Sequence, residues 1–177
     1  MHAEEVARLV DRFGPEIYRY CRRLTGGAQQ AEDLYQQTFL KLMEMRVKIQ
    51  REKNPRAFVF AVANSIWKNE RRKLMRRALI APSFSLEDEQ TQDALELPDT
   101  EDTQQQVIER ICRQQLSLAV QRLESKFRTP ILLMYGFGMS IEQIAQIERV
   151  PKGTIKSRLN RAKKKLRKEM EAYGYGE

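Results

Sequence analysis

The chain has 177 residues, 32 Lys or Arg against 24 Asp or Glu (net charge +8), two Cys and one His. That length allows one ordinary domain or two small ones, and the longest apolar run, 57–63, falls well short of the ~20 residues that cross a bilayer. Neither membrane insertion nor a secretory leader is therefore expected, Glu4, Glu5 and Arg8 preceding any apolar region. His2 is the single histidine, which removes histidine acid–base catalysis, Ser/His nucleophile systems and most metal sites. Cys21 and Cys112 are isolated, so zinc and disulfide frameworks are not indicated. Both are expected as small buried hydrophobes in a reducing cytoplasm.

The charge is unevenly spread. Residues 1–77 carry +8, residues 78–106 carry −8 with no Lys or Arg, and residues 107–177 carry +8. Two basic modules around an acidic connector point to a polyanionic partner. Both flanks have few Gly and Pro and repeated i, i+3, i+4 apolar spacing, which predicts helix throughout. The expected fold class is all-α: two small helical domains, 1–78 and 107–177, joined by an acidic flexible linker, 79–106.

In chain order, the breaker Gly26-Gly27 precedes a helix over about 28–48, "AQQAEDLYQQTFLKLMEMRVK". At ~100° per residue, Ala31, Leu34, Tyr35, Thr38, Leu42 and Met45 form a core stripe. Asp33, Gln36, Leu40, Met43 and Val47 fall together on the opposite side. Leu, Met and Val in line fit either a helix sandwiched in a bundle or a docking surface for another protein.

A second helix is predicted over about 57–78, "AFVFAVANSIWKNERRKLMRRA". Val59, Val62, Ala63, Ile66 and Leu74 make its buried stripe. Phe60, Asn64, Trp67, Lys68 and Arg71 share another face. Aromatics, an amide and cations on one side suit unstacked bases, worth about 1–3 kcal/mol per stacked base. The same spacing also fits a wide core holding Phe60 and Trp67, with the cations solvated around it.

The connector over 81–106, "APSFSLEDEQTQDALELPDTEDTQQQ", has too few apolar residues to fold alone. Its charge leads to the expectation that it shadows one or both basic modules in the free protein. In the C-terminal module, Ser140 and Gln143 fit a capping box ahead of a short helix over 141–147. The turn "ERV" follows, then Pro151 at a first-turn position and a longer basic helix. Ile155, Leu159, Ala162, Leu166 and Met170 face one way, and Lys156, Ser157, Asn160, Arg161 and Lys164 face the other. No acid occurs from Gly153 to Lys168, so like charges repel along the helix unless a polyanion is bound. Gly153 removes a side chain where backbone can approach DNA. This pattern predicts a DNA-reading helix-turn-helix.

Three stretches, "AEDLYQQTFLKLM", "RAFVFAVANSIWKNERRK" and "MSIEQIAQIERVPKGTIKSRLNRAKKKLRK", resemble bacterial sigma factors of the extracytoplasmic-function group in order and spacing. The resemblance covers about 5–78 and 107–169. It implies a promoter-specificity subunit of RNA polymerase, cytoplasmic, with no catalysis, metal or cofactor of its own. Residues 1–78 would be sigma region 2 and residues 107–177 sigma region 4. Asp33, Gln36, Gln37, Leu40 and Met43 would dock core polymerase at the β′ clamp helices, and the β subunit would also be contacted. Phe60, Asn64, Trp67, Lys68, Arg71 and Arg72 would read and help melt the −10 element of promoter DNA, aided by the loop 48–56, which would hold a flipped base. Gly153, Lys156, Ser157, Arg158, Asn160 and Arg161 would contact the −35 element, with Ser140 facing phosphate. The linker would thread through polymerase near the RNA exit path, and an anti-sigma factor would mask the docking surfaces.

This sequence departs from the family at several positions. Gln37 stands where Glu is usual, which removes one charge from the docking face. Arg149 fills a turn position that favours Gly, at about 1 kcal/mol if the residue is left-handed. Glu148 replaces an apolar residue, so this turn is expected to be more solvated than most. Pro130 falls in expected helix interior unless Thr129 caps a helix that Pro130 begins. The alternative is a free-standing helix-turn-helix regulator, which leaves the basic second helix of the first module unexplained. A nuclease using Glu32 and Asp33 fails on geometry, since adjacent helical residues point about 100° apart.

Overall fold

The computed structural model describes residues 2–45, 54–80 and 104–174. The expectations placed on the connector, on Val47 and on most of the loop 48–56 lie outside the described residues. Two compact units are present, Met1–Thr91 with Gln146–Arg149 and Gln92–Ala145 with Val150–Glu177. The helical body of the first is α1 (His2–Thr25), α2 (Ala28–Glu44) and α3 (Pro55–Ile80). That of the second is α4 (Gln104–Arg122), α5 (Ser125–Ile131), the first five residues of α6 (Ile141–Glu148) and α7 (Lys152–Ala172), with one π-helical turn, Leu132–Gly136, after α5. No strand occurs among the described residues, and no helix there is long and apolar enough to cross a membrane.

In the first unit the three helices pack against one another. α1 supplies Val6, Phe13, Ile17, Tyr20 and Leu24 to the core at three- and four-residue spacing. Pro15 lies inside α1. It removes one intrahelical donor, and the helix continues because the apolar stripe is buried on both sides of it. Gly14 allows close packing, since a Cβ there would stand 2.9 Å from the Tyr35 hydroxyl. Gly26 turns the chain at φ 81° and Gly27 is the extended N-cap of α2. At the start of α3, Asn54 Oδ1 accepts the Ala57 N–H at 3.0 Å and Pro55 takes the first helical position.

The predicted stripes hold with two adjustments, Tyr35, Met45 and Ile66 being half-buried. On α2, Ala31, Leu34, Thr38 and Leu42 are buried as expected, and Phe39 joins them. Phe39 lies one step outside the predicted arc but within reach of Tyr35, whose ring centroid is 5.0 Å away. On α3, Val59, Val62 and Ala63 are buried, but Leu74 is 43% exposed. α3 has 26 residues against 17 for α2, so its last turns continue past the helix it packs on, leaving Met75 and Leu79 exposed with Leu74. Of the cysteines, Cys21 is buried and Cys112 half-buried.

In the second unit α7 packs on α4 and α5. Leu123, Phe127, Leu133, Ile144, Ile155 and Leu159 are among its core residues. Pro130 lies in helix interior as expected, and the alternative start at Thr129 and Pro130 is not realised, since the helix begins five residues earlier, at Ser125. Thr129 is fully buried and caps nothing, its hydroxyl having no hydrogen-bond partner among the described residues. Burial of Phe127, Pro130 and Ile131 overrides the helix-breaking tendency, and the backbone widens into the π turn directly afterwards.

Candidate nucleic-acid interface

Both halves of the capping box form at α6. The Ser140 N–H donates to Gln143 Oε1 at 2.9 Å and the Gln143 N–H donates to Ser140 Oγ at 3.2 Å. The other end of α6 is closed by a Schellman motif: Val150 N–H to Ala145 O at 3.1 Å and Arg149 N–H to Gln146 O at 3.3 Å. Arg149 is the left-handed residue of that motif, at φ 55°. Pro151 is the N-cap of α7, one position before the first-turn site expected for it. Glu148 is buried and hydrogen-bonded, contrary to the solvated turn expected, because a carboxylate supplied with donors can leave water. A Lys152–Glu142 ion pair of 3.0 Å joins the starts of α7 and α6.

Within α7, Ile155, Leu159 and Ala162 are buried, while Leu166 and Met170 are half-buried. Gly153, Lys156, Ser157, Asn160, Arg161 and Lys164 are exposed, Arg158 is half-buried, and Ser140, just before α6, is exposed. A Cβ added at Gly153 would meet nothing within 4 Å, so packing does not require glycine there. The far end of the helix differs. Lys165 pairs with Glu124 at 3.2 Å, and Arg122 of α4 reaches Glu169 at 2.9 Å and the Tyr173 hydroxyl at 3.0 Å. The base of α7 is thus tied to its own unit while the acid-free front is open to a polyanion.

On α3 the predicted face is closed at Phe60 and Asn64. Phe60 is fully buried with its ring 4.8 Å from that of Tyr20, which places it in the wide core rather than on an open stacking surface. The cause is α1 lying along that side of α3. Asn64 is 1% exposed. Trp67, Lys68 and Arg71 are half-buried and Arg72 is exposed. The Arg71 guanidinium lies 5.7 Å from the Trp67 ring centroid, a cation–π distance. At the start of the same face Arg56 forks onto Glu16 of α1, Nε donating to Oε2 at 3.0 Å and to Oε1 at 3.2 Å, with Nη2 also on Oε1.

On α2 the second face is open. Asp33, Gln36, Gln37, Leu40 and Met43 are all exposed, Leu40 by 58% and Met43 by 51%. The sandwiched-helix alternative is therefore not realised among the described residues. Val10, Tyr35 and Phe39 join Gln36, Leu40 and Met43 in lining a shallow apolar groove. Val10 and Phe39 were not singled out in the sequence. Their signal was the i, i+4 relation of Phe39 to Tyr35 and the apolar periodicity of α1, which Gly14-Pro15 interrupts. Gln36 is held by Glu32 at 2.9 Å and Asp33 by Gln29 at 3.5 Å. No grouping of His, Cys, Asp and Glu fit to hold a metal occurs among the described residues.

Comparison with known proteins matches residues 9–77 to sigma-70 region 2 and residues 113–166 to sigma-70 region 4. The chain is 31% identical over 167 residues to the ECF RNA polymerase sigma factor SigL of Mycobacterium tuberculosis, covering 94% of this chain and 89% of that one. It is 23% identical over 164 residues to SigW of Bacillus subtilis, covering 93% and 88%. Among solved structures it superposes on the sigma factor RpoE of Bartonella quintana, described in complex with the anti-sigma factor NepR, with TM-score 0.74, 22% identity, and 95% and 98% of the two chains covered. It also superposes on CnrH, described in complex with the cytosolic domain of CnrY, with TM-score 0.61, 19% identity, and 96% and 90% covered.

Proposed function

We propose how this chain, which belongs to the extracytoplasmic-function RNA polymerase sigma factors, shares its task between two units. The chain is a promoter-specificity subunit: it binds core RNA polymerase, recognises −35 and −10 elements and assists promoter opening. The residue assignments are our reading. The open face of α7, with Gly153, Lys156, Ser157, Arg158, Asn160 and Arg161, reads the −35 duplex, and Ser140 faces phosphate. Trp67, Lys68, Arg71 and Arg72 form the accessible part of the −10 face, Asn64 reads a base once that face opens, and Phe60 supports it from beneath. Asp33, Gln36, Gln37, Leu40 and Met43 dock the β′ clamp helices around the groove floored by Tyr35 and Phe39.

Phosphate contacts supply salt-dependent attraction, log K falling by about 0.9 per neutralised phosphate per log unit of salt. Base contacts supply about 1–3 kcal/mol of discrimination each. The chain adds no catalysis of its own and works in the cytoplasm beside polymerase. An anti-sigma factor covers the Leu40–Met43 surface when the chain is held inactive. The observation that carries this reading is the pairing of an open, acid-free α7 front with an exposed apolar groove on α2: the first needs a polyanion and the second a protein. A free-standing regulator would leave that groove without a purpose.

The test adds the purified protein to sigma-free core polymerase with a library of genomic fragments and sequences transcript 5′ ends. Discrete starts sharing two upstream elements at fixed spacing are expected. Failure with active core, alongside polymerase-free binding to a palindrome, would make the chain a conventional regulator.

A further inference from the structure

α1 and α3 meet in two consecutive rungs. Glu16 takes the Arg56 guanidinium in a forked pair, and one turn along each helix Tyr20 packs against Phe60, the tilted rings 4.8 Å apart. The Arg56 guanidinium also lies 5.6 Å from the Phe60 ring centroid, which links the rungs to each other. Two rungs one turn apart fix both the axial register and the rotation of α3 on α1. A single contact would fix neither.

The position of this ladder along α3 gives it a functional meaning. Arg56, Phe60, Asn64, Trp67 and Arg71 fall on one side of the helix at steps of three and four residues. The ladder therefore holds the first two turns of the same face whose next turns carry the −10 residues. The Arg56 and Glu16 side chains are 30% and 23% exposed, so the pair is shielded enough to be rigid without being fully desolvated. A planar guanidinium fork constrains angle as well as distance, which a lysine ammonium does not. Base readout needs side chains held to within about half an ångström.

The geometry points to Glu16 and Arg56 as positioning residues for −10 discrimination: they set the rotation of the reading face of α3 without touching DNA. This rests on the assignment of the −10 contacts to α3. Loosening the fork lets the face rotate, and contacts that depend on direction weaken while non-directional attraction to phosphate persists.

The test uses holoenzyme assembled from the full chain and core polymerase. The probes are fluorescent non-template-strand oligonucleotides, one with the −10 element defined by transcript mapping and one with its inner bases exchanged. Arg56→Lys keeps the charge and removes the fork. It is expected to lower the preference for the cognate strand by on the order of tenfold while changing affinity for the exchanged strand by less than about twofold. The double charge swap Glu16→Arg with Arg56→Glu is expected to recover part of the preference. If Arg56→Lys fails to fold, Glu16→Gln carries the same comparison. A variant that loses melting temperature but keeps the wild-type preference would overturn the inference and leave the pair a purely structural contact. A wild-type holoenzyme with no preference between the strands would instead overturn the −10 assignment itself.

Discussion

The two candidate DNA-reading helices solve different problems, and their burial shows it. α7 presents Lys156, Ser157, Asn160 and Arg161 exposed to solvent. α3 keeps Phe60 and Asn64 closed and Trp67 half-covered. A duplex offers its base edges in a groove, so side chains that read it can stand in water permanently. Unstacked bases need apolar platforms, and aromatic side chains left in water are costly and sticky. A face for melted DNA is therefore better kept covered.

The largest effect is expected from charge reversal on α7. The double variant Lys156→Glu, Arg161→Glu is expected to lower affinity for a −35 duplex by about 100-fold or more. Filter binding or anisotropy would read it, and single-stranded −10 DNA should bind as before. An equal loss on both DNAs would mean that the two faces act as one. The reciprocal variant is Trp67→Ala, expected to remove about 1–3 kcal/mol from binding of the melted strand with the −35 duplex unaffected.

A smaller effect separates the two units by pH. Burial pushes the Cys21 thiol up from its ordinary 9.0 to about 12. Burial also raises Tyr20 well above its ordinary value. Below pH 9 the thiol is protonated whether folded or unfolded, and its contribution is intact. Between pH 9 and about 12 only the unfolded chain ionises, so stability falls by roughly 1.4 kcal/mol per pH unit from this group. Trp67 is the single tryptophan, so its fluorescence in urea titrations reports this first-unit loss. Cys21→Ala should flatten the slope. The smallest effect belongs to the turn. Arg149→Gly is expected to stabilise the chain by somewhat under about 1 kcal/mol, since glycine takes φ 55° without strain, read as a shift in the urea midpoint by circular dichroism.

What was legible follows from how local each cause is. Ser140 with Gln143 and the left-handed Arg149 are set by neighbours a few residues away, and sequence spacing identifies them. The stripe on α7 needs only helical phase. The alternative helix start at Thr129 and Pro130 is not realised because a local tendency to start a helix loses to the burial of Phe127 and Ile131, which depends on α7. Leu74 was misread because phase says which side a residue faces, not whether a neighbouring helix extends that far. On the α3 face, phase correctly grouped Phe60 with Trp67, yet only the presence of α1 decides that one is closed in and the other is not. The Glu16–Arg56 fork spans 40 residues of sequence and left no periodic trace.

Gly153 carries a different consequence. A side chain at this position at the start of α7 would meet no neighbour, so packing does not require glycine. Alanine there would gain about 1 kcal/mol of helix propensity, yet glycine is what the chain has. On the proposed assignment of Gly153 to the −35 contact, a substitution there changes promoter choice at little cost to packing.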